Sequence, residues 1–321
     1  MRVKFHGARG SHPVCATPHR ISEILENFFK LVQSKKIESW PQALEEIAKL
    51  PRAEFQIYGG HTTCVELKSE FAPMPVFFDA GTGITAAGVD KDCALTTPAF
   101  FKGAGKAAIF FSHTHWDHLI GLITLEQLYK GNEFHFYGVH KNIKERLMTL
   151  FDDRHFPVPF HVVEPYFKFH QIPLNTPMQF GGLSINHCPQ SHPGGSFAYR
   201  VSDGKKTFVF ATDTELKNID PPHMEPGDNT YSDADVLVLD AQYSPEEFRM
   251  RQGYGHSQIF QAVDLAVRER VKFLYLFHHN PGYTDSEIDQ QLDRSKAYLK
   301  EKYSQSKMSI AIAIEGQEIV V

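Results

Sequence analysis

In the stretch FFSHTHWDHLIGL, residues 110–122, three histidines and one aspartate fall within six positions, directly after an apolar run. His113, His115, Asp117 and His118 are the residue types that ligate Zn²⁺ and similar divalent cations. On a turn between a strand and the element that follows it, alternate residues can point into one space. Such a crowd of polar groups is costly unless something compensates it, and a bound cation would do so. A single His-x-His is a weak sign. Four ligand residues in the order HxHxDH after a buried strand are far more specific.

The elements that must position these residues follow from the apolar pattern. KAAIFFSH is a buried run of strand length, and DHLIGLITLEQLYK has helical spacing through Leu119, Leu122, Ile123 and Gln127. Upstream, MRVKFHGARG, CVELKS and PVFFDAGTGI are expected strands. Downstream, EFHFYG, LSINHCPQ, SFAYRVS, KTFVFATD, ADVLVLDAQ, KFLYLFHH and MSIAIAIEG are expected strands as well. KNIKERLMTLFDD, SQIFQAVDLAVRER and SEIDQQLDRSKAYLKEKY are expected helices, the second capped by Ser257. Strands precede helices in both halves, so sheets covered by helices are expected. Residues 18–52 break the rhythm. HRISEILENFFKLV sets Ile21, Leu25, Phe28, Phe29 and Val32 on one face, and SWPQALEEIAKLP adds a second helix between Ser39 and Pro51. This helical hairpin is expected as an insertion, either packed on its own domain or acting as a lid or dimer arm.

The 321 residues can bury one large core, and 1–321 is expected to be a single domain. Hydrophobic residues are 42% and charged residues 22%, the balance of a soluble globular chain. A net charge of −5 argues against a general polyanion-binding surface. Cys15, Cys64, Cys93 and Cys188 form no CxxC and are expected as free thiols in a reducing cytoplasm. No leader is visible in MRVKFHGARG, and no apolar run approaches a membrane span.

The motif order continues past the first cluster. SHPGG brings His192, FVFATDTE brings Asp213, and LYLFHHNPGYTD brings His278, each after a strand. With these residues the sequence resembles the metallo-β-lactamase superfamily, in its dinuclear phosphodiesterase branch. That pattern is HxHxDH, then a His, an Asp and a His. The resemblance runs from residue 1 to beyond 280, apart from the hairpin. It implies a four-layer αββα sandwich and two divalent metal ions, Zn²⁺ by default, with Mn²⁺ or Fe²⁺ suiting the same ligands. Carried across, His113, His115 and His192 would hold one ion, and Asp117, His118 and His278 the other. Asp213 would bridge them. His279 competes with His278; alternation along the chain favours the first histidine after the strand.

YGGHTTCVEL, FFDAGTGI, ADVLVLDAQY and GYGHSQIFQAVDLA resemble the tRNA 3′-end endonuclease (RNase Z) group and its phosphodiesterase relatives. Those relatives include phosphoribosyl cyclic phosphodiesterases and cyclic-nucleotide-degrading enzymes, phage anti-Pycsar proteins among them. Gly255-His256-Ser257 matches the group's GHS element, which implies that His256 faces the site and assists cleavage without binding metal. A helix N-terminus lowers the pKa of such a histidine and a nearby phosphate raises it, so its resting protonation stays open. Two departures stand out. His61 occupies the place of a common Asn, as a substrate contact, a partner behind the ligands or a structural substitute. The long Gly/Pro-rich arm that grips tRNA is not apparent.

Asp79, ending VFFDAG, is expected to hydrogen-bond a ligating histidine from behind or to stabilise the Gly turn. Phe156, Phe160 and Cys188 are expected in packing roles. The resemblance implies a phosphodiesterase in which two metals lower the pKa of a shared water. Asp117 and Asp213 would orient the nucleophile, and His256 would protonate the leaving oxygen. The expected substrate is a small cyclic phosphodiester, 3′,5′-cyclic nucleotides foremost. An RNase Z-like RNA endonuclease, a phosphoribosyl 1,2-cyclic phosphate phosphodiesterase and a low-turnover cyclic-nucleotide-binding protein are the alternatives. A homodimer is expected, with no membrane contact and no extended nucleic acid as partner.

Overall fold

The structure, a computed structural model, describes residues 1–216 and 229–321. Strands β1 (Arg2–Gly7), β2 (Cys64–Lys68), β3 (Val76–Phe78), β4 (Lys106–Phe111), β5 (Glu133–Gly138) and β6 (Phe167–Gln171) build one sheet. The second holds β7 (Met178–Phe180), β8 (Leu183–Gln190), β9 (Ser196–Ser202), β10 (Thr207–Ala211), β11 (Val236–Asp240), β12 (Phe273–Phe277) and β13 (Ser309–Ile312). A last strand, β14 (Glu318–Val320), returns to the first sheet, giving the orders β14-β1-β2-β3-β4-β5-β6 and β13-β12-β11-β10-β9-β8-β7.

Alternation along the strands sorts the side chains into layers. Phe5, Val65, Phe78 and Phe110 of one sheet meet Ile185, Tyr199, Phe208, Phe210 and Phe277 of the other. The opposite faces bury Phe77, Ile109 and Phe136 under one set of helices, and Val209, Leu237 and Leu274 under another. The result is the expected four-layer αββα sandwich. Strands buried on both faces read as unbroken apolar runs, as β4 and β11 do, and both lie among parallel neighbours. Each fully buried Phe or Val contributes about 1.5–3 kcal/mol.

Residues 18–52 are helical as expected: α1 (Pro18–Lys35) is capped by Thr17 and α2 (Trp40–Ile47) by Ser39. A short α3 (Arg52–Phe55) follows. They are tied to the helix Asp285–Lys302 by Arg20 Nε on Asp285 and Ala53 N on Asp289. The apolar face of α1 is only partly covered, with Leu25 and Phe29 about three-fifths exposed (61% and 62%).

Two local readings change. DHLIGLITLEQLYK is not an α-helix but three 3₁₀ turns, Trp116–His118, Ile120–Thr124 and Glu126–Lys130. Its backbone is diverted to the turn after β3: Ala80 N donates to His118 O, and Gly121 N to Ala80 O. That approach needs Gly121, because a Cβ there would lie 2.0 Å from Gly81 O. The helix expected after Ser257 begins at Ile259 and is capped by Gln258. Ser257 instead donates to Thr214 O and accepts from Leu216 N. Phe160 is buried against Phe151 and Phe167, Phe156 packs on Phe151, and Cys188 lies between the sheets. Among the described residues, no helix is long and apolar enough to cross a membrane.

Candidate metal centre

The segments that leave β3, β4, β8, β10, β11 and β12 meet at one edge of the sandwich, where ligands of α/β sheets usually sit. His113, His115 and His192 place donor atoms within 4.8 Å of one another. Asp117, His118, Asp213 and His278 do the same. Asp213 joins the two groups. Its Oδ1 lies 3.2 Å from both His118 Nε2 and His278 Nε2, and its Oδ2 lies 3.6 Å from both His113 Nε2 and His192 Nε2. Asp117 Oδ2 stands 3.2 Å from His118 Nε2 and 3.3 Å from His278 Nε2. His279 turns away to Ala313 O at 2.9 Å.

Backbone strain aims these groups. Asp79, Asp213 and His278 each follow a strand with φ of +58°, +51° and +60°, the left-handed region that non-Gly residues enter at a cost of order 1–2 kcal/mol. The turns swing Asp213 and His278 into the shared space and Asp79 behind His118. The backbone of Ala8–Gly10 runs beside His279, with Gly10 N donating to His279 O. A Cβ on Gly10 would lie 2.5 Å from His278 Nδ1. Ser11 N then donates to Asp117 Oδ2 at 2.8 Å.

The outer ring nitrogens are fixed from behind. His192 Nδ1 donates to Gly255 O at 2.8 Å, so its Nε2 faces inward as a lone pair. His118 Nδ1 donates to Asp79 Oδ2 at 2.8 Å. His113 Nδ1 meets Ser112 Oγ at 3.0 Å, and that hydroxyl donates to Asp79 Oδ2 at 2.7 Å. Asp79 thus orders two rings, directly and through Ser112, as partners behind metal ligands do. The inner nitrogens, His113 Nε2 and His118 Nε2, are buried without a hydrogen-bond partner among the described residues. Inward ring nitrogens without a partner, set facing carboxylates, are the chemistry of a divalent cation site, and the seven donors fit two such ions.

Electrostatics agree. Burial, the protonation of His118 and the neighbouring histidines hold His113 well below the usual histidine range, although Asp213 opposes this. Burial also works against charge on His118, yet Asp117, Asp213 and Asp79 around it hold its pKa well above that range. Without a cation, those acids favour a proton in the place a cation would take.

A family described as the β-lactamase superfamily domain matches residues 75–279. The chain belongs to this family. It is 24% identical over 242 residues to a ribonuclease Z of Thermoplasma acidophilum, covering 61% of this chain and 75% of that protein. Among solved structures it is similar to the metallo-β-lactamase fold protein YhfI of Bacillus subtilis, with 15% identity, 99% of each chain covered and a TM-score of 0.61. It also resembles the short form of human tRNase Z (15% identity, 100% and 99% covered, TM-score 0.58). These structures share the β-lactamase superfamily fold, and the resemblance drawn from HxHxDH is borne out.

Two further residues lie beside the centre. His256 lies beside the centre, its ring stacked on His278 with centroids 4.9 Å apart. Its Nδ1 meets Asp240 Oδ2 at 2.8 Å. Burial disfavours its charge, but Asp240, together with Asp213 and Asp117, lifts the pKa from 6.5 to about 9. The direction left open by the sequence is therefore upward. Asp240 and Ser112 escaped the sequence reading; the available sign was an acid directly after the apolar run ADVLVL, the same sign that marks Asp213. His61 is not brought to the cluster. Its N–H donates to Glu315 Oε2, and its ring lies 4.0 Å from the same carboxylate.

Proposed function

We propose that this protein is a metal-dependent phosphoric diester hydrolase that opens small cyclic phosphodiesters, 3′,5′-cyclic nucleotides foremost. The observation that carries the reading is Asp213, whose two oxygens each face a different half of a seven-donor cluster. His113, His115 and His192 would hold one cation, Asp117, His118 and His278 the second, with Asp213 between. Two divalent cations, Zn²⁺ in this proposal, supply Lewis acidity toward phosphoryl oxygens and lower the pKa of water.

The remaining roles belong to side chains. Ser11 N–H holds Asp117 in orientation, and Asp79 holds His118 and, through Ser112, His113. His256 commits Nδ1 to Asp240, which leaves Nε2 to deliver a proton to the departing alkoxide. The net charge of −5 favours a small substrate over a long polyanion. The name of the relatives, ribonuclease Z, favours a second reading, an RNA 3′-processing endonuclease. We further propose one domain over 1–321, self-association through the exposed face of α1, and a reducing cytoplasm suited to four free thiols.

The test is a substrate panel with metal-loaded protein: cyclic mononucleotides, linear dinucleotides, a phosphoribosyl cyclic phosphate and precursor tRNA. Release of a monophosphate from the cyclic nucleotides is expected. Efficient cleavage of precursor tRNA with every cyclic nucleotide intact would transfer the assignment to the endonuclease.

A further inference from the structure

Trp116 lies between two donors, His115 and Asp117, at the start of a 3₁₀ turn. Its neighbours turn inward: His115 Nδ1 reaches His192 Nε2 at 3.0 Å, and Asp117 reaches His118 and His278. Trp116 turns outward and is 70% exposed. Its indole makes no hydrogen bond or ring contact among the described residues. The chain's other tryptophan, Trp40, has Phe28 for a neighbour at 5.9 Å. An indole left in water forfeits the apolar burial that a core position would give it, and this one stands at the lip of the centre.

The surroundings narrow its use. Arg146 Nη1 donates to Thr114 Oγ1 at 2.8 Å, which pins a guanidinium one residue before His115. Gly194 and Gly195 (φ +80° and +81°) leave the side next to His115 open; a Cβ on Gly194 would meet only His115 Nε2, at 3.5 Å. Tyr254, 63% exposed, precedes Gly255, the residue whose carbonyl holds His192. The chain beside His115 and His192 therefore carries two exposed aromatics and a cation. A flat aromatic group attached through a sugar to an anion at the centre matches that lip, since base–aromatic stacking accepts any base and Arg favours the anion.

We propose that Trp116 is the stacking platform for the nucleobase next to the phosphodiester, with Arg146 attracting the anionic part of the same nucleotide. The proposal rests on the phosphodiester reading of the centre and adds that the nucleotide is recognised by its base face.

Two readouts test it. In metal-loaded Trp40→Phe protein, Trp116 is the remaining tryptophan. Adenosine 5′-monophosphate should quench its emission at concentrations where ribose 5-phosphate does not. Second, kcat/KM is measured for adenosine 3′,5′-cyclic phosphate and for the same ribose ring without a base. Trp116→Ala should lower the ratio of the two roughly tenfold or more, and Trp116→Phe should restore most of it. Equal quenching by the two monophosphates, or a ratio unmoved by Trp116→Ala in active enzyme, overturns the platform while leaving the hydrolase intact. Selective quenching by adenosine monophosphate in a protein that turns over no phosphodiester supports the platform and sinks the hydrolase.

Discussion

Asp240→Asn separates the tuning of His256 from the assembly of the metal centre. Asp240 is fully buried and carries no inward-facing metal role in the proposed assignment. Its Oδ2 accepts from His256 Nδ1 at 2.8 Å and Thr214 N at 3.0 Å, and its Oδ1 from Gln242 N at 3.1 Å. The asparagine keeps the shape and one acceptor oxygen but loses the charge. Burial then opposes the His256 cation with its main opponent gone, and the pKa should fall from about 9 toward the ordinary 6.5. At pH 8 the protonated fraction would drop from about nine-tenths to about 3%, roughly thirtyfold. Cations on the neighbouring donors lower both values together, so the difference between wild type and variant is the quantity to read.

A general acid works while protonated. Activity should therefore hold below the His256 pKa and decline as pH rises through it. The assay is kcat/KM from pH 5.5 to 9.5 on a cyclic nucleotide, whose leaving alkoxide needs a proton, and on a nitrophenyl phosphodiester, whose leaving group does not. In Asp240→Asn the alkaline limb for the cyclic nucleotide should move down by about two pH units, and the nitrophenyl profile should barely move. Metal content and a thermal melt accompany the profiles, because the lost acceptor costs about 1–3 kcal/mol of stability. A variant with full metal content and a superimposable profile would refute the reasoning.

Asp213→Ala should bind fewer than two cations and lose activity with them; metal analysis that finds two tightly held ions in the variant would exclude the bridging assignment. Gly10→Ala places a Cβ 2.5 Å from His278 Nδ1 and should weaken cation binding roughly tenfold, the scale of an orienting contact, as read by chelator competition. His187 is buried, its Nε2 has no hydrogen-bond partner among the described residues, and burial holds its pKa below 6.5; the unfolded chain takes up that proton first, so stability is full above 6.5 and falls as pH drops below it. His187→Leu should flatten that decline between pH 7.5 and 5.5 in urea unfolding; an unchanged slope would show that another group causes it. Glu at Leu25 and Phe29 together should convert the proposed dimer to monomer in sedimentation; a wild type that is monomeric at all concentrations would end that proposal.

The strands that the apolar runs announced are those buried on one or both faces, such as β4 and β11. The three that escaped, β6, β7 and β14, lie at sheet edges, where half the pairing surface is open and apolar alternation is weak: FKFHQ, MQF and EIV offer little to read. The segment 117–130 misled for a different reason. Its spacing is helical, but the carbonyl of His118 and the N–H of Gly121 are claimed by Ala80 from the neighbouring turn, a tertiary contact that local spacing does not contain. At the centre, the residues clustered in the HxHxDH motif were legible from spacing. Asp240 was not, because its partner His256 lies sixteen residues on and only the fold brings them together.

The placement of protons follows from the same buried charges. Four carboxylates, Asp79, Asp117, Asp213 and Asp240, are each 8% exposed or less at this edge, and buried carboxylates must be compensated. Without cations those acids favour a proton on His118 and on His256, against the opposing effect of burial. Two divalent cations would balance four carboxylates in full, and the first proton they displace is the one on His118, whose Nε2 faces Asp117 and Asp213 directly. Metal uptake should therefore release protons. His256 is placed differently: Asp240 holds its Nδ1–H and so favours the second proton on Nε2, while Asp213 is 3.9 Å away. Asp213 thus belongs to the cations and Asp240 to the proton. That division lets one cluster of carboxylates hold metal and still keep an acid ready beside it.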